Sequence, residues 1–300
     1  MKDNCAPGKY DKKHNTCFDI DQLMLMAQAY NRFLTKNHFN PSNVKKVDSG
    51  LIEIKRDKYF LLLQFKKIFD NVCKESQECW SNQEFMNQIV DEMKNDIINN
   101  TFRPIGPTNP NEWLSTSDIN NIMYQYQNIY SDFIFLGAVP LNCDDFEFCA
   151  LHRLKFADYE KKRIKQLAII FNLDRYGEPG SHWVALYMNL SNGEICFCDS
   201  NGKQPVDNIN NIINNFKKYF KNKTGKNATC HVNIKSYQKD GSECGVYSCN
   251  FIIRKLAGES FDSIIKNSLS FKQINSCRNI YFRNGTSIHD PTLGCDPANS

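Results

Sequence analysis

Cys244 has the sequence surroundings of a catalytic thiol. It follows a polar turn and directly precedes an apolar run, so we expect it at the N-terminus of a helix. Unpaired backbone amides and the positive end of the helix dipole favour the nucleophilic thiolate at that place. The next residue, Gly245, would let a substrate backbone approach closely. Taken alone, Cys244 could still be an ordinary buried cysteine, because the chain contains 13 cysteines.

His182 is the candidate general base. It follows a turn that contains Pro179 and Gly180, and it opens an apolar run that begins at Trp183. An imidazole at the start of a strand can point into a cleft, where it can take a proton from a thiol and return it to a leaving group. By itself, His182 could equally be a surface histidine.

Asp199 is the candidate residue for orienting that imidazole. It ends the predicted strand that follows the one opened by His182. If the two strands form a hairpin, Asp199 lies beside His182, where a carboxylate would hold the ring tautomer and stabilise the imidazolium. An aspartate that merely begins a turn is the ordinary alternative.

The order and spacing of these residues resemble the signature of the adenovirus-protease and SUMO-protease clan of cysteine peptidases. The pair His182-Trp183 comes first, Asp199 follows seventeen residues after the histidine, and Gln238 stands six residues before Cys244. The resemblance covers roughly residues 112–258. It includes a first helix that follows Trp113 and Leu114, to which we assign a structural role.

The resemblance implies both a fold and a division of labour. Gln238 would supply a side-chain donor to the oxyanion, alongside the backbone amide of Cys244. Trp183 would line the substrate channel, beside a small or glycine residue that precedes the cleaved bond. The implied fold is α+β, with a central mixed β-sheet flanked by helices, as in the papain-like clan with His-Asp-Gln-Cys order. The implied activity is that of a cysteine peptidase without a cofactor.

The pattern of apolar residues provides elements to position these side chains. Short apolar runs predict strands over residues 133–139, 166–173, 183–190, 194–199 and 229–237. Helical spacing predicts a helix after a capping box of Ser115 and Asp118, and further helices over residues 206–220 and 244–257. Gly258 is placed to cap the last of these.

The first third of the chain is predicted to be helical. Apolar residues recur at helical spacing over residues 19–34, 59–72 and 83–99. Three prolines and a glycine then interrupt the pattern between residues 101 and 111. We therefore expect a helical N-terminal region over residues 1–105 and a cysteine peptidase domain over residues 106–300, with a core of about 112–258.

Composition limits the partners. The net charge of +4 over 300 residues is mild, so we expect at most a weak nucleic-acid contact at the basic run 161–165. No apolar stretch is long enough for a signal peptide or a membrane span. The cysteines are diluted and odd in number, which favours reduced thiols in an intracellular, cytoplasmic protein.

A metal site is the main alternative use of the cysteines. Cys143, Cys149 and His152 could be ligands, as could Cys196 and Cys198. Neither set has the paired spacing and ligand count of a structural zinc site, so we expect no metal.

Within the clan, the helical N-terminal region and the Asn, Lys and Ile richness are similar to virion proteases of large cytoplasmic DNA viruses. That resemblance implies cleavage of structural polyprotein precursors, often after Gly-Gly-X sequences, and packaging in the virion. Two alternatives stay open. One is a peptidase that acts on the C-terminal tail of a ubiquitin-like or SUMO-like protein, and the other is a binding or scaffold protein without turnover.

Overall fold

The computed structural model describes residues 4–37, 50–109, 111–239, 241–283 and 295. The chain divides into two compact units, Met1–Pro104 and Ile105–Ser300. Each unit has its own hydrophobic core.

The first unit is helical. Its helices are α1 (Ile20–Asn37), α2 (Lys58–Cys73), α3 (Gln77–Ser81) and α4 (Asp91–Asn100), with a 3₁₀ turn at Glu84–Gln88. The single helix predicted over residues 83–99 is wrong. Ile89 and Val90 have extended backbone, with ψ of 141° and 137°, and they separate the 3₁₀ turn from α4. Both are β-branched, which favours the extended conformation.

The second unit is an α+β domain built on a five-stranded mixed sheet, as predicted. The strands follow one another across the sheet in chain order. The first and last strand pairs are parallel and the two central pairs are antiparallel. The strands are β1 (Phe133–Pro140), β2 (Gln166–Asn172), β3 (Trp183–Asn189), β4 (Glu194–Cys198) and β5 (Thr229–Val232).

Helices cover both faces of the sheet. They are α5 (Thr116–Gln127), α6 (Phe156–Lys161), α7 (Asp207–Thr224), α8 (Cys244–Leu256), α9 (Phe261–Lys266) and α10 (Phe271–Tyr281). On β3, Ala185 and Tyr187 belong to the core with α5, α8 and α10, whereas Val184 and Leu186 belong to the core with α7. Because both faces are buried, the strands read as continuous apolar runs.

The boundaries that matter most for the site agree with the sequence. The hairpin of β3 and β4 pairs Ala185 with Cys198, so the start of β3 lies at the same end of the sheet as the end of β4. Helix α8 begins at Cys244, and Gly258 with φ of +87° follows its last turn. The predicted fifth strand is shorter than expected. It ends before Asn233, whose side chain donates to the carbonyls of Asp199 and Lys235 and turns the chain.

The expectation of reduced cysteines is wrong for eight of the thirteen. They form four disulfides, each between partners 6 to 18 residues apart: Cys5–Cys17, Cys73–Cys79, Cys143–Cys149 and Cys277–Cys295. Because the loops are short, the two cysteines of each pair stay close together in the chain. The other five cysteines are free, which accounts for the odd number of cysteines. The bond between Cys143 and Cys149 also excludes those two sulfurs from the alternative set of metal ligands.

Two further features of the described part of the chain bear on partners. None of its helices combines the length and apolar character needed to cross a membrane. Among the described residues, no three His, Cys, Asp or Glu side chains converge as metal ligands would.

Candidate active site

His182 and Asp199 meet at one end of the β3–β4 hairpin. His182 directly precedes β3, and its Nε2 lies 2.6 Å from Oδ1 of Asp199, the residue that follows β4. The Asp199 side chain is only 1% exposed, and its Oδ1 also accepts a hydrogen bond of 2.7 Å from the backbone amide of Asn201. A buried carboxylate with these two donors fixes the orientation of the imidazole ring.

A tight turn places Asp199 against the segment that leads to Gln238. Gly202 has φ of +72° and donates its amide to the Asp199 carbonyl at 2.8 Å. A Cβ at Gly202 would come within 2.9 Å of backbone atoms of residues 234–236. Because only glycine tolerates both conditions, this position allows the two backbone segments to lie side by side.

Ser200 orients Gln238. The Ser200 carbonyl accepts the backbone amides of Tyr237 and Gln238 at 3.0 and 3.1 Å. The Ser200 hydroxyl donates to Oε1 of Gln238 at 2.5 Å. Since an amide oxygen held by a hydroxyl fixes the direction of the neighbouring NH₂ group, Ser200 decides which way the Gln238 donor points. The sequence pattern alone predicts no role for Ser200.

Cys244 is the first residue of α8 and lies beside His182. Its exposed fraction is 1%, and it lies close enough to His182 to raise the pKa of the imidazole. Because Asp199 occupies Nε2, the ring nitrogen left for the thiol is Nδ1. His182 thus connects a buried carboxylate on one side with a thiol on the other.

The electrostatics of His182 favour its protonated form. Burial lowers its pKa, but the interactions with Asp199 and Cys244 outweigh burial and raise the pKa to about 9. An imidazolium beside a cysteine stabilises the thiolate. The arrangement therefore places an imidazole that favours its protonated form beside the thiol, as a cysteine nucleophile requires.

A buried ion pair fixes the backbone just before Cys244. Arg278 on α10 donates from Nε and Nη2 to both carboxylate oxygens of Glu243, each at 3.1 Å. Its Nη2 also donates to the Glu112 carbonyl at 2.7 Å. Glu243 directly precedes Cys244, and Glu112 directly precedes Trp113. One guanidinium therefore holds the backbone on two sides of the site, a role for which we found no signal in the sequence.

Two cavities open at the site. One, of about 500 Å³, is lined by His182, Asn201, Gln238 and Trp113. The other, of about 720 Å³, is lined by Trp113 and Trp183. Trp113 is 45% exposed and borders both cavities, so it lines the site in addition to the structural role that the sequence predicts. Leu114 is structural, because it is buried and its carbonyl accepts the Trp183 indole at 3.0 Å.

Gly245 has a packing role. A Cβ at this position would lie 3.1 to 3.4 Å from side-chain atoms of Leu114, Trp183 and Ile119. The absent side chain therefore lets the start of α8 approach α5 and β3 closely. The predicted contact between Gly245 and a substrate backbone stays a prediction.

Three comparisons relate the chain to known proteins. The sequence profile of the Ulp1 protease family, C-terminal catalytic domain, matches residues 153–286. The thiol protease R355 of Acanthamoeba polyphaga mimivirus is 53% identical over 297 residues, which are 99% of this chain and 98% of that protein. The chain belongs to the Ulp1 protease family. It is accordingly a cysteine peptidase, of a kind that large DNA viruses encode.

A solved structure supports the fold of this Ulp1-family member over nearly its whole length. The pS273R protease of African swine fever virus aligns with a TM-score of 0.62 and 15% sequence identity, covering 95% of this chain and 97% of that one. The profile of the Ulp1 family covers His182, Asp199, Gln238 and Cys244 and begins after Trp113.

Proposed function

We propose that the chain is a thiol endopeptidase in which Cys244 is the nucleophile and His182 the acid and base. The observation that carries the proposal is the position of the imidazole, which is hydrogen-bonded to buried Asp199 and lies beside Cys244 at the start of α8. Asp199 orients the ring, and Gln238 is the side-chain donor to the oxyanion.

The reaction proceeds in two steps. The Cys244 thiolate attacks the carbonyl carbon of the substrate, and the resulting oxyanion accepts hydrogen bonds from the Gln238 amide and the Cys244 backbone N–H. His182 gives its proton to the departing amine, which leaves a thioester on Cys244. His182 then takes a proton from water and the hydroxide attacks the thioester. The C–S bond breaks, the acyl segment leaves as a carboxylic acid, and the thiolate and imidazolium are restored.

The proposed substrates are viral structural polyprotein precursors, cleaved after Gly-Gly-type sequences. A viral protease resembles this chain over 99% of its length, so the likeness includes the helical N-terminal unit. Trp183 lines the larger cavity, and the family resemblance implies that a glycine lies beside it, next to the cleaved bond.

A peptide-library cleavage assay tests this proposal. We expect the wild-type chain and the control Cys230→Ala to cleave Gly-Gly-X peptides, because Cys230 is a free cysteine on β5 away from His182. Cys244→Ala should cleave none of them. Equal cleavage by Cys244→Ala would refute the assignment of the nucleophile, and cleavage without glycine preference would refute the assignment of the substrate.

A second candidate keeps the chemistry and changes the substrate to a ubiquitin-like or SUMO-like C-terminal tail. Membership in the Ulp1 protease family favours it. Probes that carry a reactive group at the C-terminus of ubiquitin or SUMO separate the two candidates. Rapid labelling of Cys244 by such a probe supports deconjugation, whereas labelling only by short Gly-Gly peptides supports polyprotein processing.

We further propose that the protein is made in the cytoplasm and packaged in the virion. Disulfides persist in oxidising surroundings, which include particles outside the cell, and are rare in cytosolic proteins. The four disulfides thus favour packaging over a life spent only in the cytoplasm. The weak nucleic-acid contact at residues 161–165 stays a prediction.

A further inference from the structure

The larger cavity beside the site leads away from the reacting groups to a cluster of aromatic rings. It is lined by Trp113 and Trp183, which directly follows His182, and also by the rings of Phe148 and Tyr176. Neither His182 nor Gln238 lines it. Trp113 also borders the smaller cavity, which His182 lines, so the two cavities are neighbours on either side of this ring.

Two aromatic rings that line the larger cavity are unusually exposed. Phe148 is 77% exposed and Tyr176 is 65% exposed. Together with Phe146 they form a three-ring cluster, with centroids of Phe146 at 5.3 Å from Phe148 and 5.2 Å from Tyr176. Clustered apolar surface exposed to water marks an interaction site more often than an isolated exposed residue does.

The loops that carry the rings are braced. Cys143 and Cys149 are joined by a disulfide, and both are buried. Inside this loop, Phe146 donates its amide to the Cys143 carbonyl, and the Cys149 amide donates to the Phe146 carbonyl, each at 3.0 Å.

The second loop is tied to the first, because the Tyr176 amide donates to the Asn142 side chain at 2.8 Å. Rings held in place before binding lose little conformational entropy when a ligand arrives, which makes them effective anchors.

The chemistry of the site gives the direction of the bound chain. His182 donates its proton to the departing amine, so the leaving segment departs on the side of the smaller cavity, which His182 lines. The acyl segment therefore continues past Trp183 into the larger cavity.

We propose that Phe146, Phe148 and Tyr176 form a specificity subsite for a large apolar side chain of the substrate's acyl segment. That side chain lies further from the cleaved bond than the residues beside Trp183. This inference rests on the proposed function, because the direction of the chain depends on the roles of Cys244 and His182.

Matched peptides and matched variants test the subsite. Each peptide keeps one Gly-Gly-X cleavage sequence, and phenylalanine is scanned against serine through the upstream positions. We expect the wild-type chain to prefer phenylalanine at one such position by about 10- to 100-fold in kcat/KM, mainly through KM. In the double variant Phe148→Ala/Tyr176→Ala this preference should fall to near one.

The control is Tyr59→Ala, which removes a ring of 61% exposure from α2 and should keep the full preference. A preference retained by the double variant would overturn the proposal. So would equal losses on both peptides, or a preference that lies on the C-terminal side of the cleaved bond.

A binding measurement separates failure of the subsite from failure of the catalytic assignment. Fluorescence anisotropy of the same peptides with Cys244→Ala requires no turnover. If Cys244→Ala still cleaves, the nucleophile is wrong whatever the subsite does. If Cys244→Ala is inactive but binds the phenylalanine and serine peptides equally, only the subsite proposal fails.

Discussion

The paired and the free cysteines occupy different parts of the fold. The four disulfides lie in the helical unit, in the loop after β1 and at α10. All five free cysteines lie on β4, β5 and α8, the elements that surround the site. The elements next to the reacting thiol therefore contain thiols that have no disulfide partner.

Burial keeps most of these free thiols unreactive. It raises the pKa of Cys196, Cys198 and Cys249 far above the usual range of a thiol and raises that of Cys230 as well. Only the thiolate is nucleophilic, so a raised pKa makes a cysteine inert at neutral pH. Cys244 differs from them because it lies beside His182 and raises the pKa of that imidazole. The imidazole, rather than exposure, is what distinguishes the candidate nucleophile.

The largest effect on activity is expected from substitution of one of the free cysteines, Cys244. Cys244→Ser should lower kcat/KM by on the order of 10⁴-fold or more while leaving the free energy of unfolding nearly unchanged, because a hydroxyl fits where the thiol was. Cys249→Ala, on the same helix and fully buried, should keep activity within a few-fold and lose about 1 kcal/mol of stability. Steady-state kinetics and urea unfolding of both variants check this contrast. Inactivity of Cys249→Ala in a folded protein would contradict it.

Asp199→Asn tests whether the imidazole of His182 is what makes Cys244 reactive among the free cysteines. Activity requires His182 to carry its proton, so it is present below the pKa of His182 and is lost as pH rises through about 9. Removing the carboxylate removes one contact that raises this pKa, so the alkaline limb should move to lower pH. We also expect kcat to fall by about 10²- to 10⁴-fold. The control Asp158→Asn removes an exposed surface partner of Lys161 and should leave the pH profile unchanged.

Arg278 links a paired cysteine to a free one. It directly follows the disulfide-bonded Cys277, and its guanidinium binds Glu243, the residue before Cys244. Arg278→Met strands a buried carboxylate at Glu243 and should cost about 3 to 5 kcal/mol of unfolding free energy. Arg254→Met should cost less, because its partner Glu259 is 30% exposed and can be hydrated.

The double variant Arg278→Met/Glu243→Leu separates stability from positioning. It should recover most of the lost stability, since no unpaired charge stays buried. If Arg278 also positions the nucleophile turn, kcat should stay low although the fold is restored. Full recovery of kcat would limit Arg278 to a stabilising role.

The sequence indicated those parts of the site that have local signals. A turn followed by an apolar run located His182, a strand end located Asp199, and a helix start located Cys244. The hairpin register then brings the first two together. Their catalytic roles and that of Gln238 stay predictions, but the structure brings all four residues to one end of the sheet.

Contacts between distant residues had no such signal. Glu243 and Arg278 pair across 35 residues, and the sequence pattern contains nothing that links them. The fifth strand was predicted too long because the turn at Asn233 depends on the carbonyl of Asp199, 34 residues earlier. The pairing of cysteines cannot be deduced from spacing alone, so a count of thirteen led to the wrong expectation.

The smallest effects on activity are expected from removal of single disulfides. Removing the bond between Cys277 and Cys295 with serine at both positions should lower the free energy of unfolding by about 3 kcal/mol, because the bond closes a loop of 18 residues. The same change at Cys73 and Cys79 should cost about 2 kcal/mol, since that loop spans only 6 residues. Urea unfolding measures both variants, and kinetics at low temperature shows whether folded protein keeps its activity. A kcat loss confined to the Cys277 variant would show that α10, through Arg278, transmits the state of a disulfide to Cys244. Equal and unchanged kcat values would mean that the paired cysteines only stabilise the fold.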